Sequence, residues 1–171
     1  MSGTLFVGLA VRHAAASDAP PQTVAHVDLQ RYMGRWYEIA RYPNRFERKC
    51  VEDITATYEL RPDGRVSVVN SCGKATGGRS VASGWAKVID TATNAKLRVT
   101  FFWPFFGDYW VLELGRNYEY AVIGEPSGKY LWILSRTPQM DEVTYSDITG
   151  RLAANGYDAA RLIRVKQTSA E

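Results

Sequence analysis

A chain of 171 residues and 19.2 kDa, 46% hydrophobic and 12% aromatic, has the size of one ordinary domain and enough apolar side chain for a substantial core or a lined cavity. Its formal net charge of +3 and isoelectric point near 8.9 are mild, and Lys and Arg are interspersed with Asp and Glu, which excludes nucleic acid as the main partner. No run approaches the roughly 20 apolar residues of a membrane-spanning helix.

Residues 1–26 differ in composition from the rest. LFVGLAV (Leu5 to Val11) is a short apolar run, Ala14, Ala15 and Ala16 follow it, and Ser17 to Thr23 is a polar, Pro-containing linker. This pattern reads as a secretory leader with a processing site, or else as a disordered tail. No Lys or Arg precedes the apolar run, and no cysteine follows it before Cys50, so the sequence does not indicate a lipid anchor. The expectation is an exported protein whose compact domain spans residues 27–171.

Downstream, the chain reads as short strands. Trp36 to Arg41 is the first. In the second, Ile54, Ala56, Tyr58 and Leu60 alternate with Asp53, Thr55, Thr57 and Glu59, a period of two. Arg61-Pro62-Asp63-Gly64 is a turn, because Pro presets φ and Gly supplies the left-handed residue. Arg65 to Ser71, Ser80 to Asp90, Lys96 to Trp103, Tyr109 to Leu114, Tyr118 to Gly124 and Tyr130 to Arg136 complete eight strands. Turn-like links join them at Gly77-Gly78, Thr93-Asn94, Gly107-Asp108, Arg116-Asn117 and Pro126-Ser127-Gly128. None has room for a crossover helix, so the strands are antiparallel neighbours. An eight-stranded antiparallel meander removes its exposed edges by closing into an up-and-down β-barrel, and a barrel of that size can hold one small ligand.

The two cysteines, Cys50 and Cys72, flank the hairpin about Pro62-Asp63. Strict pairing places residue 75 opposite Cys50, so a bulge is required to bring the sulfurs together. Two readings stand. A disulfide would add about 3 kcal/mol and imply an oxidising compartment, whereas two buried thiols would not. A metal site is disfavoured, since the histidines, His13 and His26, both precede the strands.

After the strands comes one helix. Thr137 is an N-cap candidate with Pro138 in the first helical position, Asp141 and Glu142 fall in the first turns, and Gly156 is a stop. Tyr145, Ile148 and Leu152 form one apolar stripe that can pack on the barrel wall, and Gly150 weakens the helix by roughly 1 kcal/mol. Leu162 to Val165 is a last strand-like run expected at the barrel's outer edge.

Gly34-Arg35-Trp36, with FERKC, TATYEL, FFWPFFGDYWVLEL, EYAVIGEP and YLWILSRTP, resembles the lipocalin family, and within it the group of bacterial outer-membrane lipoprotein (Blc-like) and apolipoprotein D-like members. The likeness runs from about Val27 to Gln167. Gly34 and Trp36 match the first family signature, Tyr118 the tyrosine of the second and Arg136 the third. Arg116 and Asn117 depart from the second, where Thr and Asp are common. The resemblance implies that Trp36 plugs the closed end beneath the Arg136 guanidinium and that Gly34 gives the chain room to turn under that stack.

Function is then expected at the opposite end, among the connections Tyr42–Lys49, Gly73–Arg79, Trp103–Gly107 and Glu125–Lys129. Trp103, Phe105 and Phe106 are large aromatics at a loop, and Phe46 stands among Arg45, Arg48 and Lys49. Apolar groups ringed by cations suit an amphiphile with an acyl chain and an anionic head; a self-packed lid is the competing reading. By parity, Ala40, Tyr58, Phe101, Tyr109 and Val111 face the lumen. A one-residue slip would turn each of them outward.

The expected function is non-catalytic carriage of fatty acids or lysophospholipids in the bacterial envelope, in the periplasm or at the outer membrane. No cofactor is implied. Peripheral contact with a membrane and pairing of two copies through the aromatic rim are further expectations. The alternatives are a tetrapyrrole or pigment binder, for which the strands offer no histidine, and a lipid-modifying enzyme using a thiol or an inward carboxylate such as Glu38 or Glu113. No G-x-S-x-G, H-E-x-x-H or phosphate-binding glycine loop supports the enzyme.

Overall fold

A computed structural model describes residues 20–168. Leu5–Val11, Ala14–Ala16 and His13 lie outside the described residues. Eight strands run antiparallel in chain order: β1 (Gly34–Arg41), β2 (Cys50–Leu60), β3 (Val66–Lys74), β4 (Arg79–Val88), β5 (Lys96–Phe102), β6 (Phe105–Leu114), β7 (Tyr120–Gly124) and β8 (Leu131–Ser135). β1 pairs with β2 through Gly34–Tyr37 and with β8 through Tyr37–Arg41, which closes the barrel.

Two apolar layers hold this barrel. The inner one gathers Trp36, Tyr58, Val68, Leu97, Val111 and Ile123. The outer one lies under helix α2 (Glu142–Ala154), whose Ile148 and Leu152 pack on Ile39, Val122, Leu131 and Ile133. Full burial of Ile148 and Leu152 stabilises by about 1.5–3 kcal/mol each. Because β7 and β8 are covered on both faces, AVIG and LWIL read as continuous apolar runs, while half-buried β2 alternates. A short strand β9 (Ile163–Arg164) pairs with the end of β1. Beside it the Gln167 side-chain amide donates to the carbonyls of Glu38 (2.8 Å) and Ile54 (3.0 Å), so the last residues bridge the gap where β1 and β2 diverge.

Several boundaries differ from expectation. Phe102 pairs with Phe105, so the β5–β6 hairpin turns on Trp103-Pro104 and β6 starts four residues before Tyr109; Gly107 and Asp108 pair with Val99 and Arg98 instead of forming a link. The aromatic side chains here support extended backbone up to the turn itself. β7 begins at Tyr120, because Tyr118 occupies the preceding turn at φ +64°. Helix α2 is capped by Asp141, whose carboxylate accepts from the Thr144 N–H at 2.9 Å. Thr137 is unavailable for that role, since its hydroxyl donates to the Gln139 carbonyl. Gly156, at φ +86°, does follow the helix as its stop. A one-turn helix α1 (Leu29–Tyr32), capped by Asp28, was not expected. Contact with the barrel begins at Val24, whose N–H donates to the Val111 carbonyl at 3.0 Å.

Candidate functional site

At the closed end, Arg136 lies over the Trp36 indole, its guanidinium carbon 3.8 Å from the ring centroid, and donates to the carbonyls of Arg35 (3.0 Å) and Arg31 (2.7 Å). Trp36 is fully buried and its indole N–H donates to the Tyr32 carbonyl at 2.9 Å. Gly34 stands at φ +94°, and a Cβ there would come 3.3 Å from the Arg136 Nη1. Tyr118 accepts the Asp28 N–H at 2.9 Å and carries the Arg31 guanidinium 4.2 Å above its ring, which fastens α1 across the base. Glu119 takes over turn bonding near Arg116 and Asn117, accepting the Asn117 N–H at 2.8 Å.

Above this floor the barrel encloses a cavity of about 820 Å³, within the range that holds a drug-sized or lipid ligand. Its wall is mostly aliphatic and aromatic, and it opens between the β1–β2, β3–β4, β5–β6 and β7–β8 connections. Lowest in it, three hydroxyls touch in series: Tyr32 to Tyr109 at 2.7 Å and Tyr109 to Tyr58 at 3.1 Å. The Tyr32 ring leans on Trp36 at 4.9 Å, which ties this chain of hydroxyls to the plug. Burial raises all three phenols, with Tyr58 pushed up to about 12.

Near the mouth, Arg41 holds two carboxylates, Glu38 at 2.9 Å and Glu47 at 3.2 Å, and donates to the Cys50 carbonyl at 3.2 Å. Burial and the neighbouring Glu47 charge push Glu38 well above the ordinary carboxylate range, against the pull of Arg41. Asn44 shapes the loop: its side-chain oxygen accepts from the N–H groups of Phe46 and Glu47, and its amide donates to Glu47 at 2.6 Å. Phe46, Tyr130 and Trp132 then step inward from the rim, ring to ring, at 5.5 and 6.0 Å. Cys50 and Cys72 are joined in a disulfide on this wall, with Cα atoms 5.4 Å apart. Register shifts on either side of Glu52 supply the required bulge, so Cys50 faces Lys74.

The expected lumen residues divide. Tyr58, Phe101, Tyr109 and Val111 line the cavity, as do Phe46, Phe105, Arg45 and Lys49 at its rim. Ala40 does not: Glu38 shares the inward parity of Trp36, but the bulge between Glu38 and Ala40 then shifts the parity of β1, so Ala40 packs under α2. Trp103 is 73% exposed at the hairpin tip and off the cavity wall, and Arg48 likewise stands in solvent. Phe106 borders the cavity, but its ring packs edge-on against Trp85 at 5.3 Å on the outer wall. Glu113 is also outside, paired with Arg151 of α2 at 3.0 Å.

A family model described as a lipocalin-like domain matches residues 27–167. The chain belongs to the lipocalin family. It is 43% identical over 155 residues to temperature-induced lipocalin-1 of Arabidopsis thaliana, covering 86% of this chain and 83% of that one. With the outer membrane lipoprotein Blc of Escherichia coli K12 it shares 40% identity over 158 residues, 90% of this chain and 89% of that one. Among solved structures, insecticyanin from the tobacco hornworm Manduca sexta superposes with a TM-score of 0.71 at 24% identity, over 87% of this chain and 85% of that one, a likeness of fold. The floor of this lipocalin is built from Gly34, Trp36, Tyr118 and Arg136, and the cavity above them is the kind of site in which the family binds small hydrophobic ligands.

Tyr32 and Asn70, both in the lipocalin's cavity, are among the lining residues that escaped sequence reasoning. Tyr32 comes from α1, for which no apolar period gave notice. Asn70 was legible in principle, since it shares the inward parity of Val66 and Val68 in β3.

Proposed function

We propose that this lipocalin is a non-catalytic carrier of single-chain amphiphiles, fatty acids or lysophospholipids, in the bacterial cell envelope. The observation that carries the reading is the apolar cavity of about 820 Å³ whose mouth sets Phe46 and Phe105 beside Arg45 and Lys49. Each acyl methylene transferred from water into such a cavity is worth about 0.8 kcal/mol, while the exposed cations at the rim orient an anionic head more than they add affinity. Phe46, Tyr58, Phe101, Phe105, Tyr109 and Val111 would contact the chain. Binding and release need no chemistry, and both cysteines are spent in the disulfide.

An envelope location accords with the leader-like residues 1–26, with a disulfide that persists in an oxidising compartment, and with a relative named as an outer membrane lipoprotein. No helix among the described residues is long and apolar enough to cross a membrane. Exposed Phe102, Trp103 and Phe105 at the hairpin tip suit peripheral contact with a lipid surface, where aromatic side chains are at home. A second copy seated on the same tip would instead appear as a dimer in solution.

The decisive experiment is mass spectrometry of solvent extracts from the purified protein, alongside a Phe46→Asp, Phe105→Asp variant. Enrichment of fatty acids or lysophospholipids in the parent and their loss in the variant is the expected result. A parent protein that is empty and also fails to bind added lipid would overturn the reading.

A further inference from the structure

The hydroxyl chain at the cavity floor has a direction. Tyr109 donates its one proton to Tyr58, at 3.1 Å. It must therefore accept from Tyr32, at 2.7 Å, so Tyr32 and Tyr109 are both spent. Tyr58, the acceptor at the end of the series, keeps its own proton. No acceptor for that proton stands among the described residues, although Tyr58 is 7% exposed and lines the cavity. A proton at the end of a polarised chain is a stronger donor than an isolated one, and leaving it unpaired once an apolar chain fills the cavity is costly.

A second unpaired group lies on the same wall. The side-chain oxygen of Asn70 is buried without a donor, and Asn70 also lines the cavity. In the β2–β3 ladder Tyr58 faces Val68 and Asn70 faces Ala56, so Asn70 is one inward step nearer the mouth than the Tyr58 pair. The Glu38 and Glu47 carboxylates, by contrast, are already held by Arg41.

We propose that Tyr58 and Asn70 form a polar subsite that reads a neutral oxygen function, a hydroxyl or a carbonyl, on the inserted end of an otherwise apolar chain. This deepens the carrier reading and rests on it. A hydroxyl answers both groups, accepting from Tyr58 and donating to Asn70; a carbonyl answers Tyr58; a methyl end leaves both unpaired. A carboxylate is disfavoured, because Arg136 at this end is stacked on Trp36 and committed to the carbonyls of Arg31 and Arg35. With cations at the rim and this subsite at the floor, the preferred ligand is polar at both ends: an acyl lipid oxygenated along the far part of its chain.

The test is calorimetric titration with hexadecanoic acid and a series of hydroxyhexadecanoic acids whose hydroxyl steps along the chain. At least one hydroxy acid should bind about fivefold to tenfold more tightly than the plain acid, the equivalent of about one net hydrogen bond. Tyr58→Phe should abolish that preference. Asn70→Val should reduce the preference and tighten the plain acid, and it serves as an independent probe should the tyrosine variant fold poorly. Equal affinity of the parent protein for the plain acid and every hydroxy acid would overturn the subsite and leave the carrier standing, as would a preference that survives both substitutions. Binding of no member of the series would overturn both.

Discussion

Arg136 and Trp36 lock the base of the barrel from two directions: the guanidinium covers the indole at 3.8 Å while its N–H groups reach the carbonyls of Arg31 and Arg35 on either side. One cation thereby joins the end of β8 to α1 and to the start of β1.

Trp36→Ala should cost about 3–5 kcal/mol, since it opens a cavity where a fully buried indole stood. Arg136→Lys keeps the charge but loses the planar fork and the stacking, at about 0.5–2 kcal/mol. Gly34→Ala should also destabilise, through its positive φ and the approach to Arg136. Urea midpoints compare the three, and a Trp36→Ala protein as stable as the parent would remove the plug from the account.

Replacing Cys50 and Cys72 by serine should lower stability by about 3 kcal/mol, as the bond closes a loop with a sequence separation of 22. The same loss should follow reduction of the parent protein. Denaturant curves with and without reductant measure both, and identical curves would show that the bond constrains nothing.

Glu38 gives the fold a pH dependence of definite sign. Its carboxyl is held above the ordinary value of 4.5, so over that interval the folded chain keeps a proton that the unfolded chain has released. Its contribution is complete below about pH 4.5 and is lost as pH rises through the raised value, so stability from this residue falls on going toward neutral pH. Glu38→Gln retains an acceptor for Arg41 without the titration. Urea midpoints from about pH 5 to about pH 8 should therefore show the variant gaining on the parent as pH rises. A gap that stays constant with pH would mean that Glu38 is ionised throughout.

Much of this molecule was legible beforehand because the governing constraint was local. The period of Ile54, Ala56 and Tyr58 and the Pro62-Asp63-Gly64 turn each depend on residue type at a fixed spacing, whereas the pairing of Trp36 with Arg136 followed only from the family resemblance. What escaped depended on register. A single bulge in β1 turned Ala40 off the cavity wall, and no residue in GRWYEIAR signals it. The hairpin tip was misplaced because Gly107-Asp108 looks more like a turn than Trp103-Pro104, until the aromatics on both sides are seen to pair. Tyr32 reached the floor on one helical turn, too short to leave a period.

Double replacement of Phe46 and Phe105 by aspartate should lower affinity for fatty acids at least tenfold and leave the thermal midpoint close to the parent's, because both rings are more than half exposed. Vesicle flotation should fall in parallel if the tip rests on lipid. Unchanged affinity would place the entrance elsewhere.

The strip of backbone at β9 bears on when the barrel can form as the chain is made. Among the described strands β1 is made first, yet its partners β2, β8 and β9 extend from Cys50 to Arg164, and Gln167 supplies the bridge between β1 and β2. Closure thus waits until Gln167 has been made, as it does wherever distant segments must meet before any contact repays their ordering. Until then Trp36 has no Arg136 above it, and the apolar faces of the early strands stay open. A nascent chain released short of Gln167 leaves those faces unpaired and should be a substrate for proteases.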